Sequence, residues 1–247
     1  MDLSERGRRD GAPISLNRRL FMKFTAFGDA DPDAAAAALT AAGVEGAMYL
    51  DVNDPQGIGI VALSEDPTDF VSALRSVFRG APFQQMTHKA EFDMLGRTYA
   101  IGYESDLEET LFGRPRGRIL DPDLRWAVWY PLQRSKGFYR LPSERQRQIL
   151  AEHGGVGRRY GEAGLAADVR LACHGLDKAD NDFIIGLLGR DLHPLSAVVQ
   201  EMRATEQTSQ YLDRLGPFFV GHTAWQSPQP GSARGEPLAR KNPVGPT

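Results

Sequence analysis

The chain has 247 residues, 41% of them hydrophobic and 25% charged, with a formal net charge of -3. This length suits one large or two ordinary domains, and the charge balance excludes the basic footprint of a nucleic-acid binder. Cys173 is the single cysteine, which excludes an intrachain disulfide and a thiolate metal cluster and fits a reducing, cytoplasmic setting.

Residues 1–16 are polar with scattered Gly and Pro and read as a flexible arm with no apolar core of a secretion signal. No apolar run reaches the length of a membrane span. From residue 17 the pattern becomes periodic. RRLFMKFTAFG (18–28) reads as a strand, and DPDAAAAALTAAG (31–43) as a helix with an N-terminal acid, an early Pro and a closing Gly. GAMYLDV and GIGIVALS flank NDPQ as a hairpin, DPTDFVSALRSVFRG reads as a second helix, and AEFDMLGRTYAIGYE as a further strand. The order is β-α-β-β-α-β over residues 17–105.

Residues 106–124 read as a linker carrying Arg114, Arg116 and Arg118. Two readings of these arginines stand: a solvated charged connector, or an anion clamp built from guanidinium forks. The second half then repeats the first. RWAVWYPLQ (125–133) is a strand. PSERQRQILAEHG is a helix, with Ser143 and Gln146 spaced as a capping box. DVRLACHG and NDFIIGLLG are strands around LDKAD. PLSAVVQEMRATEQTSQYL (194–212) is one long helix, and GPFFVGHTAW a closing strand. Two tandem ferredoxin-like α+β units follow, with antiparallel sheets and outer helices. The C-terminal unit spans 125–226, and the Pro/Gly-rich residues 227–247 read as a disordered tail.

Five histidines, at 88, 153, 174, 193 and 222, show no zinc-binding spacing. Asp177, Asp180 and Asp182 lack the spacing and glycine of a calcium loop. Cys173 lies mid-strand among apolar neighbours and reads as inert core. His153, followed by Gly154-Gly155, has two readings: a histidine favourable to the helix dipole at a C-terminus, or a ligand aimed at something held against the helix. A ligand would need a partner for its second ring nitrogen, and Glu206 is a candidate.

The joint pattern WAVWYPLQRSKGFYRLPSERQRQILAEHGGVGRRY, GLDKADNDFIIGLL, EMRATEQTSQY and GPFFVG resembles the chlorite dismutase family of haem proteins, which includes coproheme decarboxylases. The resemblance covers residues 115–222 and extends more weakly over 17–105. It implies two ferredoxin-like units per chain of the dimeric α+β barrel type, assembled as a homopentamer. It implies haem iron ligated by His153, with Glu206 accepting from the ligand's other nitrogen. It gives Tyr130 the catalytic role, as a radical carrier that oxidises propionates of coproheme III with hydrogen peroxide to yield haem b. Propionate contacts fall to Gln133, Arg134, Lys136, Thr208 and Arg118, with Arg116 as rival, and Phe138-Tyr139 take the place of an aromatic pair near haem. The sequence departs from the family at the distal position, where counting gives Asp168 or Ala166. Neither is the arginine of true chlorite dismutases; a carboxylate at Asp168 would act as an acid-base group for peroxide cleavage, and Arg170, on the same strand face, is a substitute for the arginine. A peroxidase, a chlorite-directed enzyme and a non-catalytic haem-binding relative are the other functions the resemblance leaves open.

Overall fold

A computed structural model describes residues 1–229. The strands are β1 (Glu5–Arg9), β2 (Ala12–Leu16), β3 (Phe21–Gly28), β4 (Gly46–Asp51), β5 (Ile58–Ser64), β6 (Thr87–His88), β7 (Met94–Arg97), β8 (Trp126–Arg134), β9 (Ala167–Ala172), β10 (Phe183–Gly189), β11 (Leu212–Leu215) and β12 (Phe219–Gln226). The helices are α1 (Pro32–Ala41), α2 (Ala73–Arg79), α3 (Arg114–Ile119), α4 (Lys136–Tyr139), α5 (Ser143–Glu162), α6 (Leu192–Met202) and α7 (Glu206–Gln210).

Each half forms a four-stranded antiparallel sheet, β7-β3-β5-β4 and β9-β10-β8-β12. The two sheets meet edge to edge rather than face to face. β4 pairs with β12 over Gly221↔Asp51 to Gln226↔Ala47, and β7 meets β9 at the single pair Arg97↔Ala172. The result is a closed barrel, which leaves the main strands without free edges. Alternation decides what faces inward. Met22, Phe24 and Ala26 of β3, Trp129 of β8, Val169 and Leu171 of β9, and Ile184 and Leu188 of β10 share one interior core. The opposite faces carry the helices: α1, capped by Asp31 on the Ala34 N–H at 3.0 Å, packs Ala35 and Leu39 against Met48, Ile58 and Ile60.

Several elements differ from the expectations above. Residues 5–16 are no loose arm but the hairpin β1–β2, and Glu5 ties it to the barrel through Arg97 at 3.0 Å and the Ala100 N–H at 2.9 Å. The linker is helical, a π-turn at Glu109–Gly113 running into α3, and it buries Leu107, Leu111, Phe112, Ile119 and Leu120 in the barrel core. Its apolar residues join the barrel core, while Arg116 and Arg118 are part-buried in ion pairs with Glu45 and Asp168. The second predicted helix shortens to a 3-10 turn, Pro67–Phe70, followed by α2. No capping box forms on α5: Gln146 instead donates to the Leu141 carbonyl at 2.9 Å. The 194–212 helix breaks at Thr205, whose backbone is extended (ψ 151°) and whose hydroxyl takes the Met202 carbonyl at 2.7 Å. Of the predicted disordered tail, residues 230–247 lie outside the described residues, while Ser227 donates its N–H to the Gly46 carbonyl at 2.8 Å.

Candidate functional site

The site is built between the outer face of the C-terminal sheet and α5. On the sheet, Tyr130, Ile185 and Arg170 stand in one cross-strand row, and Val128, Leu187 and Asp168 in the row beside it. Directly opposed residues share a face, so Tyr130, Arg170 and Asp168 all point away from the barrel core. On the helix, Ile149, His153, Val156 and Tyr160 follow one another at helical spacing on one face. Ile149 and Val156 are buried, and Val156 and Tyr160 belong to the same apolar cluster as Tyr130. His153 therefore occupies a place in the stripe turned toward the sheet.

This position corrects the view of His153 as a C-terminal helix residue. α5 continues to Glu162, straight through Gly154 and Gly155. Packing of the stripe outweighs the poor helix propensity of glycine. A Cβ added at either glycine would meet nothing within 4 Å, so no close backbone approach requires a glycine at these two positions.

Three contacts bind α5 to α7. His153 Nδ1 lies 3.0 Å from Thr205 Oγ1, the Glu206 N–H donates to Glu152 Oε2 at 3.1 Å, and Arg145 donates to both Glu206 oxygens at 2.5 and 2.7 Å. The expected His153–Glu206 pair is thus not formed, because Arg145 holds that carboxylate; Thr205 takes its place. The Thr205 hydroxyl hydrogen is already given to the Met202 carbonyl. Its oxygen must then accept, so His153 Nδ1 is the donor and Nε2 keeps a free lone pair. Thr208 is within 3.4 Å of the same hydroxyl.

Burial, followed by the positive charges of Arg134 and Arg170, pushes the His153 imidazole down to about 4. The ring is neutral at ordinary pH, as a metal ligand requires. The depressed value also makes a stability prediction. Between an unfolded pKa near 6.5 and about 4, the unfolded chain binds a proton that the folded chain refuses. Stability from this residue is present above 6.5 and is lost as pH falls through that window. His153→Gln should flatten the fall in thermal midpoint between pH 6.5 and 4, measured by calorimetry. A second prediction follows from Thr205. Thr205→Val removes the oxygen that fixes the tautomer, and metal-ligand affinity at His153 should fall roughly 10- to 100-fold, read by titration with an iron porphyrin.

Three arginines stand on this side of the C-terminal unit, and the charges of two, Arg134 and Arg170, bear on the His153 ring. Arg134 lies 4.3 Å from the Phe183 ring centroid and 4.8 Å from that of Phe138, which is fully buried. Its Nη2 reaches Gln207 at a long 3.5 Å, and its Nε is buried with no hydrogen-bond partner. An unmatched buried donor of a cation is costly, and an anionic oxygen would satisfy it. Arg118 donates to both the backbone carbonyl and Oδ1 of Asp168, the latter at 3.0 Å, and Arg170 Nε meets Asp168 Oδ2 at 2.9 Å. Desolvation holds Arg118 below its usual range despite that partner. The Tyr130 phenol packs on Phe218 with ring centroids 4.6 Å apart. Burial, and then the charge of Asp168, raise its pKa well above the usual range, so it stays protonated.

Other expected residues lie elsewhere. Arg116 is remote, paired with Glu45 at 2.7 Å and Glu65 at 3.5 Å on the N-terminal unit. Gln133 is engaged by the Asp180 carbonyl at 2.7 Å. Lys136 is exposed at the start of α4, and Tyr139 is 47% exposed. Cys173 is buried, donates to the Asn181 carbonyl at 3.1 Å, and burial pushes its thiol up to about 12, as inert core should be. Thr205 and Gln207 escaped the sequence reading; the only signal for Thr205 is its place before Glu206, where an N-cap would be expected.

The closed α+β barrel thus carries, on the outer face of its C-terminal sheet and the helix packed there, a neutral histidine, arginines and a buried phenol. The chlorite dismutase family profile matches residues 58–224, well over half the chain, and the chain belongs to that family. A coproheme decarboxylase from Thermus thermophilus is 29% identical over 139 residues, 51% of this chain and 54% of the relative. One from Staphylococcus saprophyticus is 30% identical over 132 residues, 52% and 51% of the two chains. The chain thus spans about half the length of the curated relatives it matches. Among solved structures, a heme-binding protein from Thermus thermophilus superimposes with a TM-score of 0.67 at 19% identity, covering 84% of this chain and 92% of that one. A chlorite dismutase from Candidatus Nitrospira defluvii gives 0.65 at 14% identity, with 85% and 92% covered. Among the described residues no helix is long and apolar enough to cross a membrane.

Proposed function

We propose that this protein binds ferric coproheme III as its substrate and decarboxylates two of its propionates with hydrogen peroxide, giving haem b. The observation that carries the reading is the neutral His153, pinned through Nδ1 to Thr205 with Nε2 free, facing Arg134 and Arg170. Coproheme presents a Lewis-acidic iron for such a nitrogen and ionised carboxylates for guanidiniums. The buried, unpartnered Arg134 Nε supports the fit, as does the similarity to coproheme decarboxylases.

The reaction balances with one peroxide per propionate. Each side chain loses carbon dioxide and becomes a vinyl group, and hydrogen peroxide takes up two electrons and leaves as two waters. When bound, the iron supplies the activation of peroxide. His153 would hold the iron through Nε2, with Thr205 orienting the ring. Arg134 and Arg118 bind carboxylates. Tyr130, held protonated by burial, offers a hydrogen atom at its phenolic oxygen in an apolar setting that excludes water.

Arg170, on the sheet face opposite α5, favours a second reading: a peroxidase or chlorite-directed activity with the porphyrin kept intact. Titration of the purified protein with ferric coproheme III, followed by its Soret band, tests the binding on which both rest. Stoichiometric binding with a histidine-ligated spectrum is expected. Absence of binding to either coproheme or haem b would overturn the proposal.

A further inference from the structure

Asp168 stands where the family resemblance predicts another residue, and its carboxylate is shared by two guanidiniums. Oδ1 is 3.0 Å from Arg118 and Oδ2 is 2.9 Å from Arg170. Its side chain is 38% exposed, so it can turn toward solvent. Arg118 also donates to the Asp168 backbone carbonyl and keeps that partner when the carboxylate turns away, and the half-exposed Arg170 is then free to take another anion.

Resting on the reading that the site takes a porphyrin carboxylate, we propose that Asp168 is a built-in competitor for that carboxylate, occupying Arg118 and Arg170 until the substrate displaces it. The same two-oxygen geometry that Asp168 offers is the one a propionate would offer. Displacement leaves the Asp168 charge close to the incoming anion, which weakens binding and makes it reversible. Asp168 thereby lowers affinity for carboxylated porphyrins specifically and leaves uncharged ones unaffected. The neutral Asp168→Asn side chain keeps the size and loses the competing charge.

The test uses iron-free coproporphyrin III, which cannot ligate His153 through iron, and its tetramethyl ester, each titrated by fluorescence against the full-length protein. Asp168→Asn should tighten coproporphyrin III about fivefold, the scale of one partly exposed charge pair, and leave the ester unchanged. Glu152→Gln, which neutralises a carboxylate beside His153 that touches no arginine, should shift affinity less than about twofold. Asp168→Ala should behave as the Asn variant does. Equal or weaker binding of coproporphyrin III by Asp168→Asn overturns the competitor role, as does an equal gain from Glu152→Gln. Failure of the unmodified protein to bind coproporphyrin III or ferric coproheme would instead overturn the porphyrin reading itself.

Discussion

His153→Ala is expected to reduce affinity for ferric coproheme by about 100-fold or more, beyond what loss of an orienting partner alone costs. Affinity for iron-free coproporphyrin should stay within about threefold, since the guanidiniums are untouched. The contrast separates ligation from packing. The residue is only partly buried in the stripe of α5, whose packing on the sheet is carried by the buried Ile149 and Val156, so truncation leaves the helix docked. Added imidazole, taking the volume vacated by the truncated side chain, should restore the ligated spectrum. Equal losses for iron-bearing and iron-free porphyrin would show that His153 only shapes the pocket.

Tyr130→Phe carries the second large effect. Decarboxylation should fall by about 100-fold or more, the scale of losing a positioned proton or hydrogen donor, while ferric coproheme binds as before. The ring keeps its contact with Phe218, and removal of one hydroxyl should change stability by no more than about 1 kcal/mol. Rapid-mix mass analysis of the porphyrin, alongside thermal unfolding, distinguishes a chemical role from a structural one. Normal conversion to haem b by this variant would remove Tyr130 from the mechanism.

The periodic elements were legible in the sequence for a simple reason. The alternation in FMKFTAFG and WAVWYPLQ is the barrel wall itself, with Trp129 inside and Tyr130 outside. The repeated β-α-β-β-α-β order carried the two-unit fold. Contacts made across elements were less visible. Leu107, Leu111, Phe112, Ile119 and Leu120 sit among charges in the sequence, and only packing against the barrel interior makes them core. Glu206 is held by Arg145, two turns before His153 on α5, and the adjacent Thr205 meets the ring instead. The hydrogen-bond partner of His153 depends on where α6 breaks, which no local pattern in the sequence announces.

The measurement that tests the central claim most directly is hydrogen peroxide titration of the ferric coproheme complex, with the porphyrins identified by mass. The account predicts stepwise loss of two carboxyl groups, one for each equivalent of peroxide, ending at haem b. Peroxide consumption with all four propionates intact, or bleaching without a decarboxylated product, would contradict it.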